Sequence, residues 1–155
     1  MTAEDVTRID RSIEIKASPE RVWRALTNAA ELSAWFRVKI EGDIAAGQKV
    51  WMISVQPGEY LGMRFPVWFV ELTPPVRVVW EWNPGAVDPK IDYSREPKTT
   101  VTFTLEPSPA GTRLTVSEKG FEQISLERRA KVFEDNSKGW IEVLVWLRVY
   151  AETAA

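Results

Sequence analysis

The chain has 155 residues, 45% hydrophobic and 27% charged, with a formal net charge of −2, the profile of one soluble globular domain spanning 1–155. It contains no cysteine and no histidine, which excludes disulfides, thiolate nucleophiles, Ser-His-Asp and Cys-His arrangements and zinc sites built on those ligands. No dense Lys/Arg block marks a nucleic-acid footprint: Arg128, Arg129 and Lys131 cluster, but Glu127 and Glu134 dilute them into a solvated helix face.

The N-terminal M-T-A-E-D-V-T is polar and lacks a hydrophobic signal segment. The most apolar stretch, Trp140 to Tyr150, is too short to span a bilayer and is broken by Glu142 and Arg148. A cytoplasmic protein without membrane insertion is the expectation.

Residues 7–16, T-R-I-D-R-S-I-E-I-K, alternate: Ile9, Ile13 and Ile15 share one face of a half-buried strand. Arg11 falls on that apolar face. In A-S-P-E-R-V-W-R-A-L-T, Ser18 is the expected N-cap and Pro19 the first helical residue, with Val22, Trp23 and Leu26 inward. Asn28 followed by Glu31 predicts a capping box and a second short helix through Leu32, Trp35 and Phe36.

Strands follow, separated by turn chemistry. They are expected over 37–44, Lys49 to Gln56, Arg64 to Leu72 and Arg77 to Trp82, with Pro66 near a strand start or at a bulge. Thr99 to Glu106 and Thr112 to Glu118 predict a last hairpin. The tail from Leu126 to Tyr150 holds no proline, and Ala130, Phe133, Trp140, Leu144 and Leu147 recur at helical spacing with Ser137 in the gap. Ile141, Val143, Val145, Trp146 and Val149 make its second half apolar nearly all round. Such a helix needs cover on more than one side, so the antiparallel sheet must curve around it. The fold class is α+β: a six- or seven-stranded curved sheet, two short helices after the first strand, and a long C-terminal helix.

In order along the chain, I-E-I-K-A-S-P-E-R-V-W-R-A-L-T-N (13–28), E-L-S-A-W-F (31–36), L-T-P-P-V-R-V-V-W-E-W (72–82), T-T-V-T-F-T-L-E-P (99–107), G-T-R-L-T-V-S-E-K-G-F (111–121) and G-W-I-E-V-L (139–144) resemble one family. It is that of bacterial homologues of the activator of the heat-shock-protein-90 ATPase, within the START-related, birch-pollen-allergen-like superfamily. The resemblance covers roughly residues 8 to 152. It implies the helix-grip fold, with the first strand beside the last and an apolar cavity between sheet and C-terminal helix. Activity is not implied, because one fold hosts many functions. Relatives often carry histidine where Glu118 stands, and a shorter hairpin between Trp82 and Thr99.

Trp80 and Trp82 sit two apart in a strand and so share a face with Val78; Phe103 joins them from the neighbouring strand. Trp51, Trp68 and Trp146 are further candidates. These rings either line a pocket for a small flat apolar molecule or fill the grip solidly. Arg11 and Glu118 both fall on inward faces, and pairing across adjacent first and last strands is the economical arrangement for buried charge. It would serve as a structural ion pair or as a polar anchor for a ligand.

The loop 83–98 is long for a compact domain; Ile91 and Tyr93 could close a pocket mouth, or the loop is a solvated insertion. Gly139, costly inside a helix, suggests close helix–sheet packing or room for a ligand. Candidate ligand-binding residues are therefore Trp80, Trp82, Phe103, Arg11, Glu118, Trp51, Trp68, Tyr93 and Gly139. No carboxylate pair has a spacing for acid–base work, and no catalytic residue, metal or cofactor is expected. The expected function is binding of a small hydrophobic or aromatic molecule. Alternatives are a polyketide cyclase or aromatase-like enzyme and a chaperone-activator-like interaction module with a chaperone partner. The apolar 140–150 segment and the strand edges allow a homodimer.

Overall fold

The structure, a computed structural model, describes residues 7–85 and 90–153. Its elements run β1 (Arg8–Ile15), α1 (Pro19–Thr27), α2 (Ala29–Phe36), β2 (Val38–Glu41), β3 (Lys49–Ser54), β4 (Arg64–Thr73), β5 (Arg77–Trp82), β6 (Thr99–Ser108), β7 (Gly111–Lys119), a 3-10 turn at Phe121–Gln123 and α3 (Leu126–Thr153). The seven strands form one antiparallel sheet in the order β1-β7-β6-β5-β4-β3-β2. The first strand therefore lies beside the last, as the resemblance implies, and α3 packs against β1, α1 and α2.

Local chemistry explains the turns and caps. The Ser18 side chain accepts from Arg21 N, with Pro19 opening α1. Asn28 caps α2 by accepting from Glu31 N. The capping box expected there forms only by half, because the Glu31 carboxylate is engaged by Arg21, Arg24 and Tyr150 instead. Pro66 sits near the start of β4, opposite Trp51, while the bulge lies further on, between Phe69 and Glu71. Gly111 closes the β6–β7 hairpin at φ +144°, where a Cβ would stand 2.7 Å from Ala17 O. No other residue fits that approach without displacing the backbone.

Period-2 alternation puts Val50, Met52, Val67, Phe69, Val78, Trp80, Val101, Phe103, Leu105, Leu114 and Val116 on the inner face, all buried. Burying one indole removes about 200 Å² from water, on the order of 5 kcal/mol of transfer free energy. Trp80 is 0% exposed. The helix meets this face through Val132, Phe133, Trp140, Leu144, Leu147 and Ala151. Ala130, expected on the stripe, is exposed. The second half of α3 is not wrapped all round either: Ile141 and Val149 are 55% and 53% exposed.

Candidate functional site

Strand β7 carries Thr112, Leu114, Val116 and Glu118 on its inner face, and the alternation drives Glu118 to 0% exposure. A carboxylate there needs donors. Five hydrogen bonds from four side chains supply them: Trp140 Nε1 to Oε1 at 2.8 Å, Asn136 Nδ2 to both oxygens at 3.0 and 3.2 Å, Trp82 Nε1 to Oε2 at 2.9 Å and Thr99 Oγ1 to Oε2 at 2.5 Å. Asn136 and Trp140 are four apart on one face of α3, so the carboxylate ties the helix to strands β5, β6 and β7.

The ion pair expected between Arg11 and Glu118 does not form. In the β1–β7 register Ile9 stands opposite Glu118, and Arg11 stands opposite Val116. Arg11 donates instead to Ser137 Oγ and to the Asp10 carbonyl. Both strand intruders thus find their partners in the polar gap of the helix stripe, Asn136 and Ser137. Neither takes the other.

The indoles of Trp80 and Trp82 do share the inner face, but their surroundings differ. Trp80 is packed edge-on against Phe69 and Phe103 at 5.7 and 5.0 Å and lies against Phe36 at 6.0 Å. Trp80 is fully buried among these rings, and its Nε1 has no hydrogen-bond partner among the described residues. Phe103 is likewise core, with its ring edge-on to Trp140 at 5.7 Å. Trp82 is half-buried. It stacks on Trp140 at 5.9 Å and on Phe36 at 6.4 Å, and it borders a cleft.

That cleft, about 200 Å³, is lined by Phe36, Met63, Phe65, Trp82, Asn83, Pro84, Gly85 and Asn136. Phe36, Met63 and Phe65 also line a neighbouring recess of about 280 Å³ together with Arg37, Gln56 and Trp146. On the other side Gly85 and Asn136 open into one of about 450 Å³ beside Tyr60, Ile91, Tyr93 and Val132. The open side of the grip is thus a groove along α3, aromatic at its centre.

The loop after β5 forms one wall, and Arg128 fastens it. The guanidinium pairs with Glu96, donates to Pro84 O at 2.9 Å and lies 5.0 Å from the Tyr93 ring. Gly85, at φ +67°, comes so close to α3 that a Cβ would sit 2.7 Å from Val132 Cγ2. Tyr93 and Ile91 accordingly border the groove; residues 86–89 of that loop lie outside the described residues.

Three candidates belong elsewhere. Trp51 alternates with inward Val50 and Met52, so its ring faces outward beneath Arg64 at 3.8 Å and Lys49 at 4.8 Å. Trp68 alternates with Val67 and Phe69 and carries Lys98 at 4.3 Å. Gly139 is not a close approach: nothing lies within 4 Å of a Cβ built there. Residues missed from the sequence are Phe36, Met63, Phe65 and Asn136 in the groove and Thr99 and Trp140 beneath it. The available signal was the two-residue polar gap in an otherwise apolar helix stripe, opposite two charged residues on strand faces. Among the described residues no group of three His, Cys, Asp or Glu could hold a metal, and no helix is long and apolar enough to cross a membrane.

Comparison with known proteins adds the family. The family profile for Activator of Hsp90 ATPase homolog 1-like protein matches residues 16–152. No curated protein matches the chain by sequence. Among solved structures, protein MLL2253 from Mesorhizobium loti is similar at 23% identity, TM-score 0.74, covering 96% of this chain and 98% of its own. The Aha1 dimer from Colwellia psychrerythraea is similar at 21% identity, TM-score 0.71, with 94% and 96% covered. DynU16, from the dynemicin biosynthetic locus, is similar at 20% identity and TM-score 0.72; 95% of this chain matches 48% of that longer one. At these identities the likeness is one of fold.

Proposed function

The chain belongs to the Activator of Hsp90 ATPase homolog 1-like family, and we propose that it binds a small hydrophobic or aromatic molecule in the groove between α3 and the sheet. One observation carries this reading. Phe36, Met63, Phe65 and Trp82 are large apolar side chains left half-buried around a cleft of about 200 Å³. An apolar cavity of roughly 150 Å³ is enough for a single benzene ring. The Trp82 wall is rigid, since its indole N–H is fixed to the buried Glu118 and its ring stacks on both Trp140 and Phe36. Rigid aromatic walls lower the ordering penalty of binding.

Phenylbutanol, a neutral aromatic probe, tests the proposal by calorimetric titration. Saturable one-to-one binding that Met63→Glu abolishes supports it. Absence of saturable binding, or binding unchanged in Met63→Glu, contradicts it.

A second reading concerns assembly. Ile141, Val145 and Val149 recur every four residues on the outer side of α3 and are 55%, 38% and 53% exposed. The similar Colwellia protein is a dimer. We infer that a second copy of this chain covers that stripe. Sedimentation should show a dimer that Ile141→Glu/Val145→Glu dissociates; a wild-type monomer at high concentration would rule it out.

A further inference from the structure

Arg37 ends α2 in the left-handed region, φ 60° and ψ 48°, and is the only non-glycine residue with positive φ among the described residues. Glycine or asparagine usually occupies such a position, because a Cβ is strained there. An observed outlier of this kind motivates a functional question. The guanidinium lies 3.9 Å from the Trp146 ring centre and donates to Gln56 Oε1 at 3.0 Å.

Its charge is what distinguishes it. Arg128, the other arginine on the groove, is held by Glu96, and Lys131 is paired with Asp135. Arg11 is spent on Ser137 and the Asp10 carbonyl. Glu118 is sealed by its own donors. Among the described residues no carboxylate pairs with Arg37, although it borders the recess formed by Phe36, Met63 and Phe65. Those same side chains line the cleft at Trp82. Phe36, Met63 and Phe65 thus lie between the indole of Trp82 and a guanidinium that has no carboxylate partner among the described residues.

We propose that the groove takes an amphipathic anion: an aromatic or branched aliphatic body against Trp82 and Met63, and a carboxylate on Arg37. The inference rests on the groove being a binding site, as proposed above, and adds the class of molecule. A guanidinium held over an indole and bound by one carboxamide has further N–H groups in the fork geometry that matches a carboxylate. The apolar length between the two ends selects against small inorganic anions, which would forgo the contact with Trp82.

The test uses a matched pair, phenylbutyrate and phenylbutanol, on the wild type, on Arg37→Gln and on Arg37→Gly, the last being free of backbone strain at φ 60°. At low salt the wild type should bind the acid about fivefold more tightly than the alcohol, the scale of one exposed charge-assisted contact. That preference should shrink when salt is raised to roughly 0.5 M. Both variants should bind the two probes equally. Equal affinity for acid and alcohol in the wild type, or a preference that survives in both variants, overturns the assignment to Arg37 while leaving the groove as a binding site. Failure of both probes to bind overturns the groove reading itself and this inference with it.

Discussion

The indoles of Trp82 on β5 and Trp140 on α3 lie nearly parallel, 5.9 Å apart at 30°, and each is fastened by its N–H to a different oxygen of Glu118. One buried carboxylate thereby sets the spacing between sheet and helix at the point where the groove begins. The arrangement is stiff, because rotating either ring would leave a carboxylate oxygen short of a donor in a site closed to water.

Glu118→Gln keeps the shape and replaces one of the two acceptor oxygens by a donor. The NH₂ end of the amide would face the N–H of either Trp82 or Trp140, placing donor against donor in a buried site. The expected loss is about 2–4 kcal/mol, read as a lowered midpoint in urea unfolding, with a changed tryptophan emission as Trp82 is freed. A loss below about 0.5 kcal/mol would mean that the network is not holding the groove together.

Gly139 gives the opposite sign. It sits inside α3, and nothing lies within 4 Å of a Cβ built there. Gly139→Ala should therefore stabilise the protein by up to about 1 kcal/mol, raising the melting temperature by roughly 2–4 °C. Destabilisation would restore the sequence expectation of close helix–sheet contact.

Acid should loosen the junction of α1, α2 and α3. Burial raises the Glu31 carboxyl, but hydrogen bonds from Arg21, Tyr150 and Arg24 together with the Arg21 charge outweigh it, and the net shift is below the ordinary value of 4.5. A folded-state value lower than the unfolded one contributes stability above the unfolded value that is lost as pH falls through the folded one. Thermal melts of wild type and Glu31→Gln should converge as pH drops below 4.5. Curves that stay parallel through that range would show that Glu31 is not responsible.

Much of the fold was legible because its signals are local. Ser18-Pro19 starts a helix, Asn83-Pro84-Gly85 stops a strand, and alternation marks the inner faces of β5, β6 and β7. The groove was less legible because its membership depends on where elements meet. Alternation put Trp80 and Trp82 on one face, yet only three-dimensional packing decides that Phe69 and Phe103 close over Trp80 while Trp82 remains at an edge. Arg11 and Glu118 were rightly read as inward. A two-residue offset in register, Ile9 rather than Arg11 opposite Glu118, redirected both to the helix. Trp51 and Trp68 were drawn in by ring size alone, though their parity with Val50 and Val67 assigns them to the outer face.

The indole N–H resonances of the isotope-labelled protein report the groove most directly, followed during titration with phenylbutanol. Trp82 lies on the cleft wall, and Trp51 and Trp68 serve as outer-face references. The expected result is a saturable shift of the Trp82 signal with the two references unmoved. A Trp82 signal that never moves, or shifts confined to Trp51 and Trp68, would contradict a ligand-binding groove between helix and sheet.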